Sequence, residues 1–201
     1  WDKLNGSTLY KFDGDQMGSD GDPVKWKDLP KDTKKLRVYS YIPSSTIVTL
    51  GQSCPTIQYT VPANIHEQHD LITAYKEVQT SQKERIPINF SHALTAIQFK
   101  SGFNCRIKDI TLRQVHDKGT YSFETGLWST TGEAKGIFTI NLDGNGETKG
   151  KSVDIGEMIT YDKPGTVLMM IPQNFTAESQ ATISMTYYIG DSNTETKTIQ
   201  T

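Results

Sequence analysis

Cysteine is scarce: two in 201 residues. Cys54 and Cys105 are too few for a disulfide scaffold. They allow one bridge, and two buried thiols fit equally, because free cysteine packs as a small hydrophobe. Long apolar runs are also missing. No stretch approaches the ~20 residues that a helix needs to span a bilayer. Trp1 is followed by neither a charged n-region nor an apolar h-region, the pattern expected of a processed or trimmed N-terminus. No charge sign dominates. The 21 Lys and Arg against 23 Asp and Glu leave a net charge of −2, with no basic block and no acidic tail, so nucleic acid is not an expected partner. There is no G-x-S-x-G, no P-loop and no Cys–His pair in a recognisable setting. An enzyme is therefore not expected, nor a cofactor or a resident metal. Well-capped helices are absent as well.

What remains is a series of short β-signals separated by turns. LRVYSYIP (36–43) and IQYTVP (57–62) read as strands, the second with Ile57, Tyr59 and Val61 on one side. A short strand at Thr8–Phe12 precedes DGDQMGSDGDP (13–23), a turn or loop by its Gly, Asp and Pro content, and Val24–Trp26 suits a small strand. Residues 66–84 are ambiguous. Leu71, Tyr75 and Val78 share a helical face, while DLITAY suits a strand, and strands on both sides favour the latter. The run from Ile86 to Val115 predicts two long strands joined by a Gly/Asn turn. Its apolar phase at Ile86, Ile88, Phe90 and Leu94 flips to Ile97 and Phe99, which calls for a bulge or bend near His92–Ala96. Further on, GIFTINL (136–142) places Phe138, Ile140 and Leu142 on one face, and DGNGETKGK (143–151) is a turn before the short strand SVDIG. TVLMMIP (166–172) is apolar on both faces, as in a covered central strand. ATISMTYYI (181–189) sends Ala181, Ile183, Met185, Tyr187 and Ile189 one way and Thr182, Ser184 and Thr186 the other. GDSN then turns into TETKTIQT (194–201), a Thr-rich strand facing water. About a dozen strands without crossover helices predict an all-β protein of β-sandwich architecture. A domain boundary is expected near Ser129–Gly132, dividing residues 1–130 from residues 131–201; one continuous sandwich is the alternative.

Several clusters invite functional readings, each with a plainer one beside it. His66, Glu67, His69 and Asp70 carry zinc-ligand chemistry, but i,i+3 spacing without a second pair suits a solvated loop. Asp13, Asp15, Asp20 and Asp22 alternate like oxygen ligands for calcium, yet lack the closing Glu of an EF-hand and suit a flexible loop. Trp26, Tyr39, Tyr41, Tyr121, Phe123 and Trp128 interleave with polar residues. Exposed rings of this kind stack on sugars, and Trp26, Tyr121 and Trp128 are the candidate glycan contacts; core packing explains most such rings. Asn5, Asn89 and Asn174 open Asn-x-Ser/Thr triplets, and Asn89 falls inside an expected strand.

Four segments in order resemble the fimbrillin-like (Mfa-like) proteins of anaerobic Gram-negative bacteria. They are LRVYSYIP, HDLITAY, INFSHALTAIQF with IKDITL and GTYSFETGLW, and LMMIPQNF. The most specific is the pattern formed by Phe90, His92, Ala93, Leu94, Ile97 and Phe99. The resemblance implies two transthyretin-like β-sandwich modules in tandem. It implies secretion, lipidation of the precursor, and a place at the cell surface or outer membrane as a pilus (fimbria) subunit or adhesin. Its partners would be other pilus subunits joined by β-strand exchange, with host glycan or a surface protein as a further target, and with the membrane reached only through a lipid anchor. The exchange groove would lie near TVLMMIP or ATISMTYYI. His92 would be a buried imidazole bonded to backbone. The family's closing Trp-x-x-Gly-x-x-Tyr-x-Tyr segment is not among these residues, so a chain lacking one or both ends is expected, with an incomplete C-terminal domain. The alternative function is a cell-surface carbohydrate-binding module serving glycan capture.

Overall fold

Period-two apolar spacing becomes antiparallel sheet along most of the described chain. The computed structural model describes residues 10–13, 16–19, 27, 29, 31–43, 46, 48–49, 54–81, 86–143, 150–159, 167–175, 179–189 and 193–200. Eighteen strands occur among them.

Two sheets face each other in the first half. One is β3 (Lys35–Ile42), β6 (Ile72–Gln79) and β7 (Ser91–His92). The other has the order β12 (Trp128–Ser129), β11 (Lys118–Ser122), β5 (Thr56–Thr60) and β4 (Val48–Thr49). Their inner faces meet through aromatic rings. Tyr39 of β3 stacks within its own sheet on Tyr75 of β6 at 5.1 Å, and it meets Phe123, just after β11, edge-on at 5.4 Å. Tyr121 of β11 hydrogen-bonds the buried Thr73 of β6 at 2.9 Å. Burial first, with Cys54 adding to it, raises the pKa of the Tyr39 phenol, which keeps it neutral in this core. The ambiguous 66–84 region contains β6, preceded by a 3-10 turn at Ile65–Glu67 that Asn64 caps.

A five-stranded sheet dominates the second half. At its centre is β10 (Cys105–Val115), with β13 (Gly136–Asn141) and β14 (Lys151–Val153) on one side. On the other side lie β17 (Thr182–Ile189) and then β18 (Asn193–Gln200). Burial along β13 alternates strictly, Phe138 and Ile140 in, Ile137 and Thr139 out. A register shift between Ile107 and Asp109 keeps Ile107, Ile110 and Leu112 all buried. A second shift, at Gln114 with φ 57°, turns the end of β10 toward Gly136. A Cβ on Gly136 would stand 2.7 Å from the Val115 carbonyl, so the approach of these strands requires glycine there.

Three ladders have two strands each. They are β1 (Tyr10–Asp13) with β2 (Gln16–Ser19), β8 (Thr95–Ile97) with β16 (Leu168–Met170), and β9 (Phe99–Lys100) with β15 (Met158–Ile159). One continuous buried cluster runs from Ile57 and Leu71 through Leu94, Ile110 and Phe138 to Leu168 and Ile171. A cut at residue 130 would part β10 from β13, β14 and β17, and would part β8 and β9 from β16 and β15.

Several expectations change. The run from Ile86 to Lys100 is not one bent strand. Residues 86–90 keep the in–out alternation without joining a ladder, and β7, β8 and β9 then pair with three different partners. Ala93 and Leu94 are buried where the chain crosses between sheets. The phase flip marks that crossing rather than a bulge. Part of the expected loop at 13–23 is β2. Within the TVLMMIP segment four successive residues, Leu168 to Ile171, are buried, yet β16 has three residues and pairs only with β8 among the described residues. The small strand at Val24–Trp26 and residues 144–149 of the expected turn lie outside the described residues.

Candidate assembly edge

β18 is the feature the large sheet leaves most open. Eight residues pair with β17, from Thr182↔Gln200 to Ile189↔Asn193. Thr194, Glu195, Thr196, Lys197 and Thr198 are all exposed, whichever face of the sheet they occupy. The cause is the position of the core. Ile183 and Met185 of β17 reach the buried cluster and are only half-buried themselves. One strand further out, Lys197 stands opposite Met185 and Glu195 opposite Tyr187, beyond the apolar layer. The other face is a hydroxyl ladder, with Ser184 and Thr198 at 2.8 Å and Thr186 and Thr196 at 3.1 Å. Between Thr194 and Thr198, β18 is thus held by backbone pairing and a few hydroxyl contacts, with no buried side chain among these five residues.

Edges at β16 and at the end of β10 are closed differently. The Gln173 amide acts as a stand-in for a strand residue. Its Oε1 accepts from the His116 N–H at 2.9 Å, and its Nε2 donates to the carbonyls of His116 and Ile171, both at 3.1 Å. Gln68 does the same for β16. Its Oε1 accepts from the Met169 N–H at 2.8 Å while its Nε2 donates to the Pro62 carbonyl at 2.8 Å. Side chains therefore occupy backbone positions that a neighbouring strand would otherwise fill. Sequence reasoning missed both residues. The Pro-Gln step was visible at 172–173, but nothing local names His116 as the partner.

A family model described as fimbrillin-like matches residues 4–201. The chain belongs to the fimbrillin-like family. No curated protein and no solved structure matches it. The family is a structural pilus family rather than an enzyme family. Membership implies a fimbrial structural subunit at the cell surface that assembles with other pilus subunits. No described helix of this fimbrillin-like chain is long and apolar enough to cross a membrane.

The individually singled-out residues of the fimbrillin-like chain fall as follows. Tyr121 is 7% exposed and its ring contacts Phe123 and Trp128, an environment that suits a core side chain rather than a sugar platform. Trp128 is half-buried and its indole N–H donates to the Ala93 carbonyl at 2.6 Å. Trp26 lies outside the described residues, as do Asp15, Asp20 and Asp22, while Asp13 ends β1. The structure corrects the reading of His92. Its side chain is 78% exposed, and Nδ1 pairs with the Asp70 carboxylate rather than with backbone. The two-residue strand β7 ends there, at the sheet corner, where the imidazole clears the core. Glu67 accepts a hydrogen bond from Asn64 at 3.1 Å, and no group of three metal-capable side chains occurs among the described residues. Cys54 and Cys105 are unpaired and half-buried.

Proposed function

We propose that this chain is a surface pilus subunit that joins its neighbours by exchanging β18. In this reading β18 leaves the β17 edge of its own subunit and occupies the β17 edge of the next. The observation that supports it most is the exposure of Thr194–Thr198 on both faces of the strand. Leaving costs the eight-residue ladder, which the neighbour's β17 restores in full, and Thr194–Thr198 give up no buried side chain on the way. The groove expected beside ATISMTYYI is then the β17 edge itself. Anchoring at the outer membrane through a lipid on the precursor belongs to the same reading. So do two β-sandwich units, divided by sheet membership: residues 95–115 go with the strands after residue 136.

A variant ending at Ile189 tests the exchange. It is expected to capture a synthetic peptide of residues 193–200 and to fail as a donor in fibre assembly, with its circular dichroism otherwise retained. A truncated chain that polymerises like the parent, or ignores the peptide, overturns the reading.

A further inference from the structure

β18 is bonded along one rim only. β17 takes one side, and no described strand lies on the other. Bare rims of this length invite pairing, and proteins commonly block them with charge, proline or a bulge. β18 contains no proline, and its eight pairs show no register shift. Its charged side chains are Glu195 and Lys197, opposite in sign, two residues apart and therefore on one face. Both are exposed. Glu195 accepts the hydroxyl of Tyr187 from across the ladder, which raises the pKa of Tyr187 and steadies the carboxylate beside the rim. Lys197 has no ion-pair partner among the described residues.

This spacing is self-complementary. Set two β18 strands antiparallel about a two-fold axis through Thr196, and Glu195 of each lies against Lys197 of the other. Thr194 then meets Thr198, Thr196 meets its own copy, and Asn193 meets Ile199. The Thr186–Thr196 hydroxyl contact at 3.1 Å continues across the junction into its symmetric equivalent. We propose that the free rim of β18 is a docking surface for the same rim of a second copy of this chain, in the antiparallel register centred on Thr196.

The charges select that register. Centring on Glu195 or on Lys197 sets like charges directly opposite, and so does parallel in-register pairing, each of which is destabilising. Centring on Thr194 or Thr198 leaves both charges without an opposite charge inside β18 (Asn193–Gln200). Residues that block indiscriminate pairing thus leave one arrangement favoured. The contact is isologous, so it closes at two copies and extends one sheet through both. It uses the rim facing away from β17, and holds whether the strand sits on its own β17 or on a neighbour's.

The test is sedimentation velocity on the soluble full chain over a range of concentration and salt, with Glu195→Lys, Lys197→Glu, and their equimolar mixture. The parent is expected to dimerise and to weaken as salt rises. Each variant alone is expected to dimerise about tenfold more weakly or worse, because two attractive cross-strand pairs become repulsive. The mixture is expected to recover a heterodimer, since one partner then presents two lysines and the other two glutamates. Unchanged melting curves show that the variants fold. A parent that stays monomeric, variants that dimerise like the parent, or a mixture that does not recover would each overturn the proposal.

Discussion

Gln173 shows how much a single side chain contributes in this fold. Its amide makes three hydrogen bonds, two of them to the backbone of His116, 57 residues earlier in the chain. Replacing it with Leu keeps the bulk and removes the amide, leaving the half-buried His116 N–H and C=O without partners. Gln173→Leu is expected to destabilise the protein by about 1–3 kcal/mol, read as a lower urea midpoint at unchanged slope. An unchanged midpoint would show that water replaces the amide at no cost. Tyr121 makes the complementary point. The sequence left it between a glycan contact and a core ring, and its hydroxyl hydrogen-bonds Thr73, 48 residues away. No local pattern carries that information, because interleaving with polar residues looks alike at a sandwich corner and at a binding face.

Strands were legible wherever one sheet face is buried and the other is not. β3, β5 and β13 lie close to the positions that alternation predicts, while β18, exposed at Thr194–Thr198, was placed by the GDSN turn before it. Alternation gives the facing of a side chain and not the identity of the neighbouring strand. For that reason the stretch from Ile86 to Lys100 kept its in–out alternation at 86–90 and 97–100 and lost it at 91–96, where it splits among partners. His92 was misread for the same reason: its motif position is fixed by sequence, its place at a sheet corner is not. The β3–β6 pair carries a pH-dependent element. Lys35 at 2.7 Å and Arg37 at 3.0 Å hold Glu77 below the usual carboxylate range. The lowered pKa means that this stabilisation is present above the ordinary carboxylate range and is lost as pH falls through the folded value. The group is solvent-exposed, so the effect is small. Between pH 7 and pH 3 the parent is expected to lose slightly more melting temperature than Glu77→Gln; equal losses would remove the pair from the account.

At the scale of the molecule, the fimbrillin-like chain combines one continuous buried cluster with a last strand whose residues Thr194–Thr198 lie outside it. Inner edges are closed by Gln68 and Gln173, whereas β18 closes the edge of β17 and leaves its own outer edge open. That difference is what supports β18 as the exchanged strand in the proposed assembly. The most direct measurement is a disulfide trap across the β17–β18 ladder. Thr186 and Thr196 are register partners with their hydroxyls 3.1 Å apart, and both native thiols are free to be replaced by serine. Fibres assembled from Thr186→Cys/Thr196→Cys chains in a Cys54→Ser/Cys105→Ser background would be oxidised and run on a denaturing gel without reductant. Strand exchange predicts a covalent ladder of multimers that collapses to monomer on reduction. Complete disulfide formation in fibres that nevertheless run as monomer would show that each β18 stays on its own subunit, and would contradict it.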